Sequence, residues 1–446
     1  MSSRLVGVGW HEASTAVLPA AYPFLADAPL PAAGCYIGRN LFGGAFHHDP
    51  FTLYAAGLSS NPNMLIAGDL GSGKSTLVKT LLLREHVRGR SAFVADPKGE
   101  YAPLAAALGV TPLKLGPGCT DRLNPLDPPE GADLGQRLLL VTALAAAALD
   151  RPLTPTEHAA LDIALSAVLS ANTTALLINV VDTLLTPTTT TATDMRLTVG
   201  QLTDASRDLA LVLRRMCSGD LAGMFDGPTT RRPHPSDPLV VLDLSALYQT
   251  NRDALPLVLA CVTSWLTTTI RTNAAQRYVV IEEAWALLAH VATARWLQQS
   301  YKLARAHGVA NIAVLHRISD LLSAGAGDSE QVALARGLLD DVGTRVLGRQ
   351  AASALRDAAA VLGLTATSAT LLPQLRTGVA LWNTIGRWFM VEHQRSDIER
   401  RICDTDAAMT SQRPDTTAED QLHDAVIPAE LAAATGVPGG DGEVAA

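Results

Sequence analysis

The chain has 446 residues, of which 48% are hydrophobic and 17% are charged, and its formal net charge is -8 at pH 7. This length exceeds what one compact core usually holds, so we expect two or three structural units. The acidic balance disfavours a protein that binds nucleic acid mainly by electrostatic attraction, although it leaves room for a local basic surface.

The cysteine and hydropathy patterns indicate a protein of a reducing compartment. The five cysteines lie far apart and form no C-x-x-C pair, which favours neither a zinc site nor a disulfide framework. Prolines interrupt the apolar N-terminal stretch, so we expect no signal peptide. No apolar run approaches the roughly 18–20 residues that span a bilayer. We therefore expect a cytoplasmic protein that reaches the inner face of the cell membrane only through its partners.

The predicted elements begin with an irregular segment rich in proline and alanine over residues 1–33, followed by short strands and turns over 34–62. A short apolar run then predicts a buried strand at 64–67. A glycine-rich loop follows this strand, and a plausible helix follows the loop. Strand, glycine loop and helix in this order are what a phosphate-binding loop requires.

The glycine-rich loop matches the P-loop pattern G-x-x-x-x-G-K-[ST]. Its glycines allow successive N–H groups to face phosphate oxygens, and the following helix start adds the positive end of its dipole. We expect Lys74 to reach the β- and γ-phosphates of ATP, Ser75 to bind Mg²⁺ and Thr76 to contact the α-phosphate. The predicted nucleotide-binding residues are Gly68, Asp69, Leu70, Gly71, Ser72, Gly73, Lys74, Ser75 and Thr76.

The middle of the chain, over about residues 133–223, changes to alanine- and leucine-rich helical patterns, which we interpret as an all-helical insertion. Its threonine-rich stretch, 186–193, is predicted to be an exposed loop. Beyond the insertion, apolar strands alternate with helices, and a hairpin is predicted over 378–391. This alternation predicts an α/β fold with a parallel sheet and helices on both faces.

These changes of pattern divide the chain into five predicted parts. They are an irregular N-terminal segment (1–33), the first part of a P-loop NTPase core (34–132), the all-helical insertion (133–223), the second part of the core (224–409) and an acidic disordered tail (410–446).

An acidic pair, Glu282-Glu283, directly follows the apolar strand predicted at 278–281, where a Walker B motif belongs. We expect Glu282 to hold Mg²⁺ through water, and Glu283 to orient and deprotonate the attacking water. The alternative is a helix start that carries favourable acids. The apolar strand before the pair and the P-loop upstream favour the catalytic interpretation.

Three further residues are candidates for the same reaction. His316 ends the next strand, where a polar side chain can report the presence of the γ-phosphate; a structural role is the alternative. Arg305 ends the helix after the acidic pair and is the first candidate for an arginine finger supplied to a neighbouring subunit. It can equally complement the helix C-terminus. Arg349 is the second candidate for the finger, and Asp96 and Glu100 are expected near the P-loop without an assigned role.

Six motifs in one order identify a known family. They are Asn63 with the P-loop, DPKGEY at 96–101, LNPLD at 123–127, FDGP at 225–228, DLS at 243–245 and EEAW at 282–285. Together they resemble the TraC/TrbE-type (VirB-family) ATPases of conjugation and type IV secretion, in the HerA–FtsK group of P-loop NTPases. The resemblance spans roughly residues 34–405. It implies a RecA-like motor domain with an all-helical insertion, a homo-hexameric ring and docking on membrane channel components.

The chain departs from the family pattern at two site positions. Glu282 stands where an aspartate is usual, and His316 stands where a glutamine is usual. The family's N-terminal domain, which contacts the channel, is expected to be largely missing.

The favoured function is therefore an ATP-hydrolysing motor, with ATP and Mg²⁺, that energises conjugative DNA transfer or type IV-like secretion of a DNA or protein substrate. The first alternative is an FtsK/HerA-like DNA translocase or coupling protein. It is less favoured because neither N-terminal membrane helices nor a DNA-reading end domain is visible in the sequence. The second alternative is a nucleotide-dependent scaffold that hydrolyses ATP slowly.

Overall fold

The computed structural model of the chain describes most residues between 30 and 404. The described residues are 30, 34–127, 134–171, 174–232, 237–259, 261–262, 276–288, 291–316, 330–352, 355, 359 and 362–404. The predicted acidic tail lies outside these residues, and so does nearly all of the predicted irregular N-terminal segment.

One 11-stranded sheet organises the described part of the chain. Its strands are β1 (Cys35–Asn40), β2 (Ala45–His48), β3 (Met64–Ala67), β4 (Ser91–Asp96), β5 (Leu113–Lys114), β6 (Leu239–Asp243), β7 (Arg277–Ile281), β8 (Val309–Leu315), β9 (Thr344–Leu347), β10 (Val379–Thr384) and β11 (Arg387–His393). The spatial order is β2-β1-β11-β10-β9-β3-β8-β7-β4-β6-β5.

The seven strands from β9 to β5 are parallel, and the four from β10 to β2 continue the sheet in antiparallel fashion. The predicted α/β fold with a parallel-sheet core is thus confirmed. The predicted hairpin forms β10 and β11. Its two-residue turn, Ile385-Gly386, has φ angles of 49° and 72°, the left-handed geometry that matches the twist of paired strands.

Helices cover the sheet and build a block of their own. They are α1 (Pro50–Ala55), α2 (Lys74–Val87), α3 (Ala102–Ala107), α4 (Leu134–Leu149), α5 (Pro155–Ala171), α6 (Leu177–Leu185), α7 (Thr189–Asp194), α8 (Val199–Ser218), α9 (Ser245–Thr250), α10 (Trp285–Leu288), α11 (Val291–Leu303), α12 (Glu330–Asp340), α13 (Ala366–Leu371) and α14 (Asp397–Cys403). Of the described helices, none is both long and apolar enough to cross a membrane.

The core consists of two apolar clusters, one on each face of the parallel strands. Successive residues of β3 alternate between them: Met64 and Ile66 join the cluster that contains α2, whereas Leu65 and Ala67 join the cluster that contains α4 to α8. Because both faces are covered, the central strands are buried at every position, as in β3 and β8.

The described residues between 134 and 218 form α4 to α8, which pack on one another and, through α4, on α11. The predicted loop at 186–193 is wrong in part, because Thr189–Asp194 is the helix α7. Thr188 caps this helix by accepting a hydrogen bond from the N–H of Thr191 at 3.1 Å. The division of the chain into domains stays a prediction.

At the antiparallel end of the sheet, His48 of β2 is buried with 1% exposure. Its Nε2 lies 3.1 Å from Thr344 Oγ1, and its ring packs on that of Trp382 with centroids 5.3 Å apart. Burial lowers the pKa of His48 to about 4, although the neighbouring Asp49 carboxylate opposes this shift. The imidazole is therefore neutral in the folded protein at neutral pH.

We predict that acid destabilises the fold through His48. The unfolded chain binds a proton at this histidine near pH 6.5 and the folded chain near pH 4, so its contribution is complete above about pH 6.5 and lost as the pH falls. Between pH 7 and pH 5 the loss should be about 2 kcal/mol of unfolding free energy. In denaturant titrations, His48→Gln should remove that part of the pH dependence, and His158→Gln, at an exposed position of α5, should not. Identical pH profiles for His48→Gln and the wild type would contradict the prediction.

Candidate nucleotide-binding and hydrolysis site

Register in the parallel part of the sheet determines where the site lies. Ala67 of β3 pairs with Leu315 of β8, and Ile281 of β7 pairs with both Ala313 of β8 and Ala95 of β4. The carboxyl ends of these four strands therefore lie side by side at one end of the parallel sheet. The segments that follow these ends carry the P-loop, the DPKGEY segment, the acidic pair and His316.

The P-loop, residues 68–73, connects β3 to α2. Gly73 has a φ of 94°, which favours glycine, and it leaves the start of α2 without a side-chain cap. Gly68 is closely packed, because a Cβ there would lie 2.5 Å from Ser72 Oγ and 3.3 Å from the Cα of Gly348. The predicted strand, glycine loop and helix are thus confirmed, and the uncapped helix start offers N–H groups to an anion.

Lys74 lies at the first position of α2 and is 9% exposed. Its Nζ donates hydrogen bonds to the carbonyl oxygens of Gly68 at 2.6 Å and Asp69 at 3.0 Å, so the lysine lies over its own loop. Burial lowers the pKa of Lys74, while nearby carboxylates, first that of Glu282, oppose this. The next two residues, Ser75 and Thr76, carry hydroxyl groups and line the pocket that lies between these loops.

Glu282, the first acid after β7, is nearly buried, with 8% exposure. Its Oε1 accepts a hydrogen bond of 2.6 Å from the Tyr101 hydroxyl. Burial raises the pKa of Glu282 to about 7, and the Tyr101 hydrogen bond opposes that rise. The tyrosine thus holds one carboxylate oxygen of Glu282 in place at the wall of the pocket.

Glu283, the second acid, is 3% exposed and is held by three donors. Its Oε1 lies 2.6 Å from Lys98 Nζ and 2.7 Å from His316 Nε2, and its Oε2 accepts a hydrogen bond from the indole N–H of Trp285. Burial favours the neutral acid, yet the hydrogen bonds from His316 and Lys98 outweigh it and lower the pKa of Glu283 to about 2. The carboxylate is therefore charged at neutral pH.

The backbone of Glu283 is unusual, since its φ is 56°, in the left-handed region. This conformation costs a glutamate of the order of 1–3 kcal/mol and occurs preferentially at functional sites. The next residue fixes it in place, because the N–H of Ala284 donates to the carbonyl of Val314 in β8 at 3.1 Å.

His316 lies beside the acidic pair. Its Nε2 contacts Glu283, and its carbonyl accepts a hydrogen bond of 3.4 Å from the Gln350 amide. Its Nδ1 is buried without a hydrogen-bond partner among the described residues. Whether His316 reports the γ-phosphate stays a prediction.

Sequence analysis assigned no role to Lys98 or Tyr101 in the DPKGEY segment, which follows β4. Asp96 accepts hydrogen bonds from the backbone N–H groups of Lys98, Gly99 and Tyr101 at 3.2, 2.9 and 2.9 Å. This turn places Lys98 against Glu283 and Tyr101 against Glu282. A signal was present, because DPKGEY follows a buried strand just as the acidic pair does, and parallel strands bring such ends together.

The two candidate arginine fingers lie at opposite ends of the parallel strands. Arg305 precedes β8 and its Nη1 donates to the carbonyl of Ser60 at 3.4 Å. The seven residues of β8 separate it from its own site by about 20 Å at 3.3 Å per residue. Arg349 follows β9, and its carbonyl accepts the N–H of Asp69 at 2.7 Å, beside its own P-loop. Neither assignment is tested by this placement, so both stay predictions.

The four loops surround an open pocket beside the P-loop. Besides the P-loop residues, its walls include Lys98, Glu100, Glu282, Glu283 and His316. Within the described residues, no group of three or more histidine, cysteine, aspartate or glutamate side chains is placed to hold a metal. Mg²⁺ does not require such a cage, because it binds one or two protein oxygens together with phosphates and water. Ser75 and Glu282 offer oxygen donors of this kind.

Solved structures share this fold. VirB4 of Thermoanaerobacter pseudethanolicus matches with 21% sequence identity and a TM-score of 0.66, over 84% of this chain and 99% of that one. The bacterial conjugative coupling protein TrwBΔN70, in an unbound form, matches with 14% identity and a TM-score of 0.55, over 79% and 87%. The plasmid coupling protein TrwB in complex with the non-hydrolysable GTP analogue GDPNP matches with 15% identity and a TM-score of 0.51, over 75% and 86%.

A scan against protein-family profiles found no match, and a search of curated proteins found none. The structural similarity confirms the predicted RecA-like P-loop NTPase fold, and it agrees with the resemblance that the motifs indicate.

We predict that the Tyr101 hydroxyl stabilises the fold through Glu282. Tyr101→Phe should lower the free energy of unfolding by about 1–3 kcal/mol, because a buried carboxylate oxygen loses its donor. Denaturant titration measures this, and Tyr54→Phe, at a tyrosine with 41% exposure, is the matched control. If both variants are as stable as the wild type, the hydrogen bond does not support Glu282.

Proposed function

We propose that the protein is an ATP-hydrolysing motor that energises conjugative DNA transfer or type IV-like secretion. The observation that carries this proposal is the convergence of a P-loop lysine and a strand-end acidic pair on one pocket, which Lys74, Glu282 and Glu283 all line. Phosphoryl transfer to water needs a phosphate cradle, a metal site and a group that positions the water. The pocket contains residues suited to each task.

The roles follow from the position of each group. The uncapped start of α2 and Lys74 would bind the phosphates of ATP, because both present positive charge to the pocket. Ser75 and Glu282 would hold Mg²⁺, which neutralises charge on the β- and γ-phosphates when it is bound. Glu283, fixed by its backbone at the pocket wall, would orient the attacking water and accept its proton.

The biological setting is supported by the shared fold. The similar structures include VirB4 and the conjugative coupling protein TrwB. By analogy, the chain would act at the cytoplasmic face of a membrane, together with channel components of a conjugation or secretion apparatus, and would assemble as a homo-hexamer. The ring would supply the cation that neutralises charge between the β- and γ-phosphates.

A DNA translocase or coupling protein is the second candidate function, favoured by the similarity to TrwB. The net charge of -8 disfavours extensive contact with the DNA backbone. Steady-state ATPase assays with and without double- or single-stranded DNA separate the two. DNA-independent turnover supports the secretion motor, stimulation of about 10-fold or more supports the translocase, and absence of turnover with intact binding supports a nucleotide-dependent scaffold.

We predict that binding and turnover can be separated at this site. Lys74→Ala should abolish ATP binding, because the phosphates lose their main cation. Glu283→Gln should preserve binding and lower turnover by about 10²–10⁴-fold, because the amide cannot accept the proton. Calorimetry and phosphate release measure the two quantities.

Matched controls for this pair are Lys114→Ala and Glu330→Gln, at exposed positions of β5 and α12. Both should behave like the wild type. Equal ATPase activity in the wild type and Glu283→Gln would eliminate Glu283 as the base.

We also predict that Arg305 acts across a subunit interface. Arg305→Ala should lower turnover, and mixing it with Glu283→Gln subunits should restore part of the activity, because a mixed interface can combine an intact base with an intact finger. An arginine finger is worth roughly 10³–10⁵ in rate in comparable enzymes. Turnover per subunit should also rise with protein concentration. Mixed rings that form without regaining activity would count against this role of Arg305.

A further inference from the structure

Lys98 is the cation of the pocket to which the proposed reaction assigns no role. Its Nζ lies 2.6 Å from Glu283 Oε1 and 3.3 Å from His316 Nε2. With Trp285 on Oε2, three donors occupy the carboxylate that is proposed to bind the attacking water. In this arrangement the Glu283 carboxylate faces protein donors. Of these three donors, Lys98 can change its partner most freely.

The freedom of Lys98 lies in its side chain alone. Its backbone N–H donates to Asp96 at 3.2 Å, within a turn that two further hydrogen bonds to Asp96 fix. The side chain is 28% exposed, whereas that of Glu283 is 3% exposed. A lysine has a flexible four-carbon stem, so its ammonium can move between neighbouring acceptors while the turn stays in place.

A triphosphate bound in the pocket would give Lys98 a second acceptor. Lys98 and Lys74 line it together, and Lys74 already lies over the P-loop. A triphosphate held there would present a terminal group with more negative charge than a single carboxylate. Because the attraction grows with the charge of the partner, Lys98 would exchange Glu283 for the terminal phosphate.

We propose that Lys98 is a positioning residue that restrains Glu283 and releases it when a triphosphate occupies the P-loop. On release, Lys98 contacts a γ-phosphate oxygen, and Glu283, still held by His316, turns toward the attacking water. A diphosphate has no oxygen at the γ-phosphate position and therefore leaves Lys98 on Glu283. Hydrolysis thereby returns the site to its restrained state. This inference rests on the proposed ATPase function.

The test compares an ATP analogue that cannot be hydrolysed with ADP, both with Mg²⁺. Calorimetry should show that the wild type prefers the analogue by about 10-fold, because Lys98 exchanges its charge-assisted hydrogen bond to Glu283 for a stronger one to phosphate. Lys98→Met keeps the length of the side chain without its charge and should lose this preference. Lys98→Arg should retain most of it, and Lys114→Met, at an exposed position of β5, should match the wild type.

The second readout is Trp285, whose indole N–H contacts Glu283. Fluorine NMR of protein labelled with fluorotryptophan, with the resonance assigned by its absence in Trp285→Phe, reports the surroundings of this indole. In the wild type the analogue should shift the resonance, and ADP should not. In Lys98→Met the resonance should be displaced before nucleotide is added and should respond equally to both nucleotides. A purely structural role of Lys98 would not produce this dependence on the γ-phosphate.

The outcomes distinguish this inference from the proposed function. A wild type that binds neither nucleotide overturns both. A wild type that binds and hydrolyses ATP but shows the same Trp285 resonance with the analogue and ADP overturns the role of Lys98 alone. This comparison needs no variant, so it holds even if Lys98→Met fails to fold. A Lys98→Met protein that folds and keeps the preference for the analogue overturns the role as well.

Discussion

Parallel pairing of β3, β8, β7 and β4 is the constraint on which the rest of the structure depends. The carboxyl ends of in-register parallel strands lie side by side, so residues that are far apart in sequence meet there. His316, which follows β8, reaches Glu283, which follows β7, only because Ile281 pairs with Ala313. A slip of one residue would also swap the side chains of β7 between the two apolar clusters, so close packing on both faces helps to fix the geometry of the site.

The site concentrates charge on largely buried side chains. Burying two adjacent carboxylates is costly unless each has partners. Glu282 has the Tyr101 hydroxyl, and Glu283 has Lys98, His316 and Trp285. The left-handed backbone of Glu283 adds local strain, which the hydrogen bond from Ala284 to β8 and the three donors to the carboxylate offset. These partners therefore hold the two carboxylates in their positions at the pocket.

Local patterns predicted the parts of the site that short-range chemistry specifies. Gly73 and Lys74 lie in a motif whose strand, loop and helix follow one another, and Glu283 follows a continuous apolar strand. The contacts of Lys98 with Glu283 and of Tyr101 with Glu282 were not predicted, because the partners are 185 and 181 residues apart in the chain (283 − 98 and 282 − 101). Only the strand order brings these pairs together. The helix α7 was missed because the capping by Thr188 outweighed the turn propensity of a threonine-rich stretch.

A crystal structure of the wild-type protein with Mg²⁺ and a non-hydrolysable ATP analogue tests most directly the central claim, that the P-loop and the acidic pair form one ATP site. The account predicts phosphates against residues 68–76, Mg²⁺ on Ser75, and Lys98 Nζ on a γ-phosphate oxygen instead of at 2.6 Å from Glu283 Oε1. An analogue bound away from Lys74 would contradict the account.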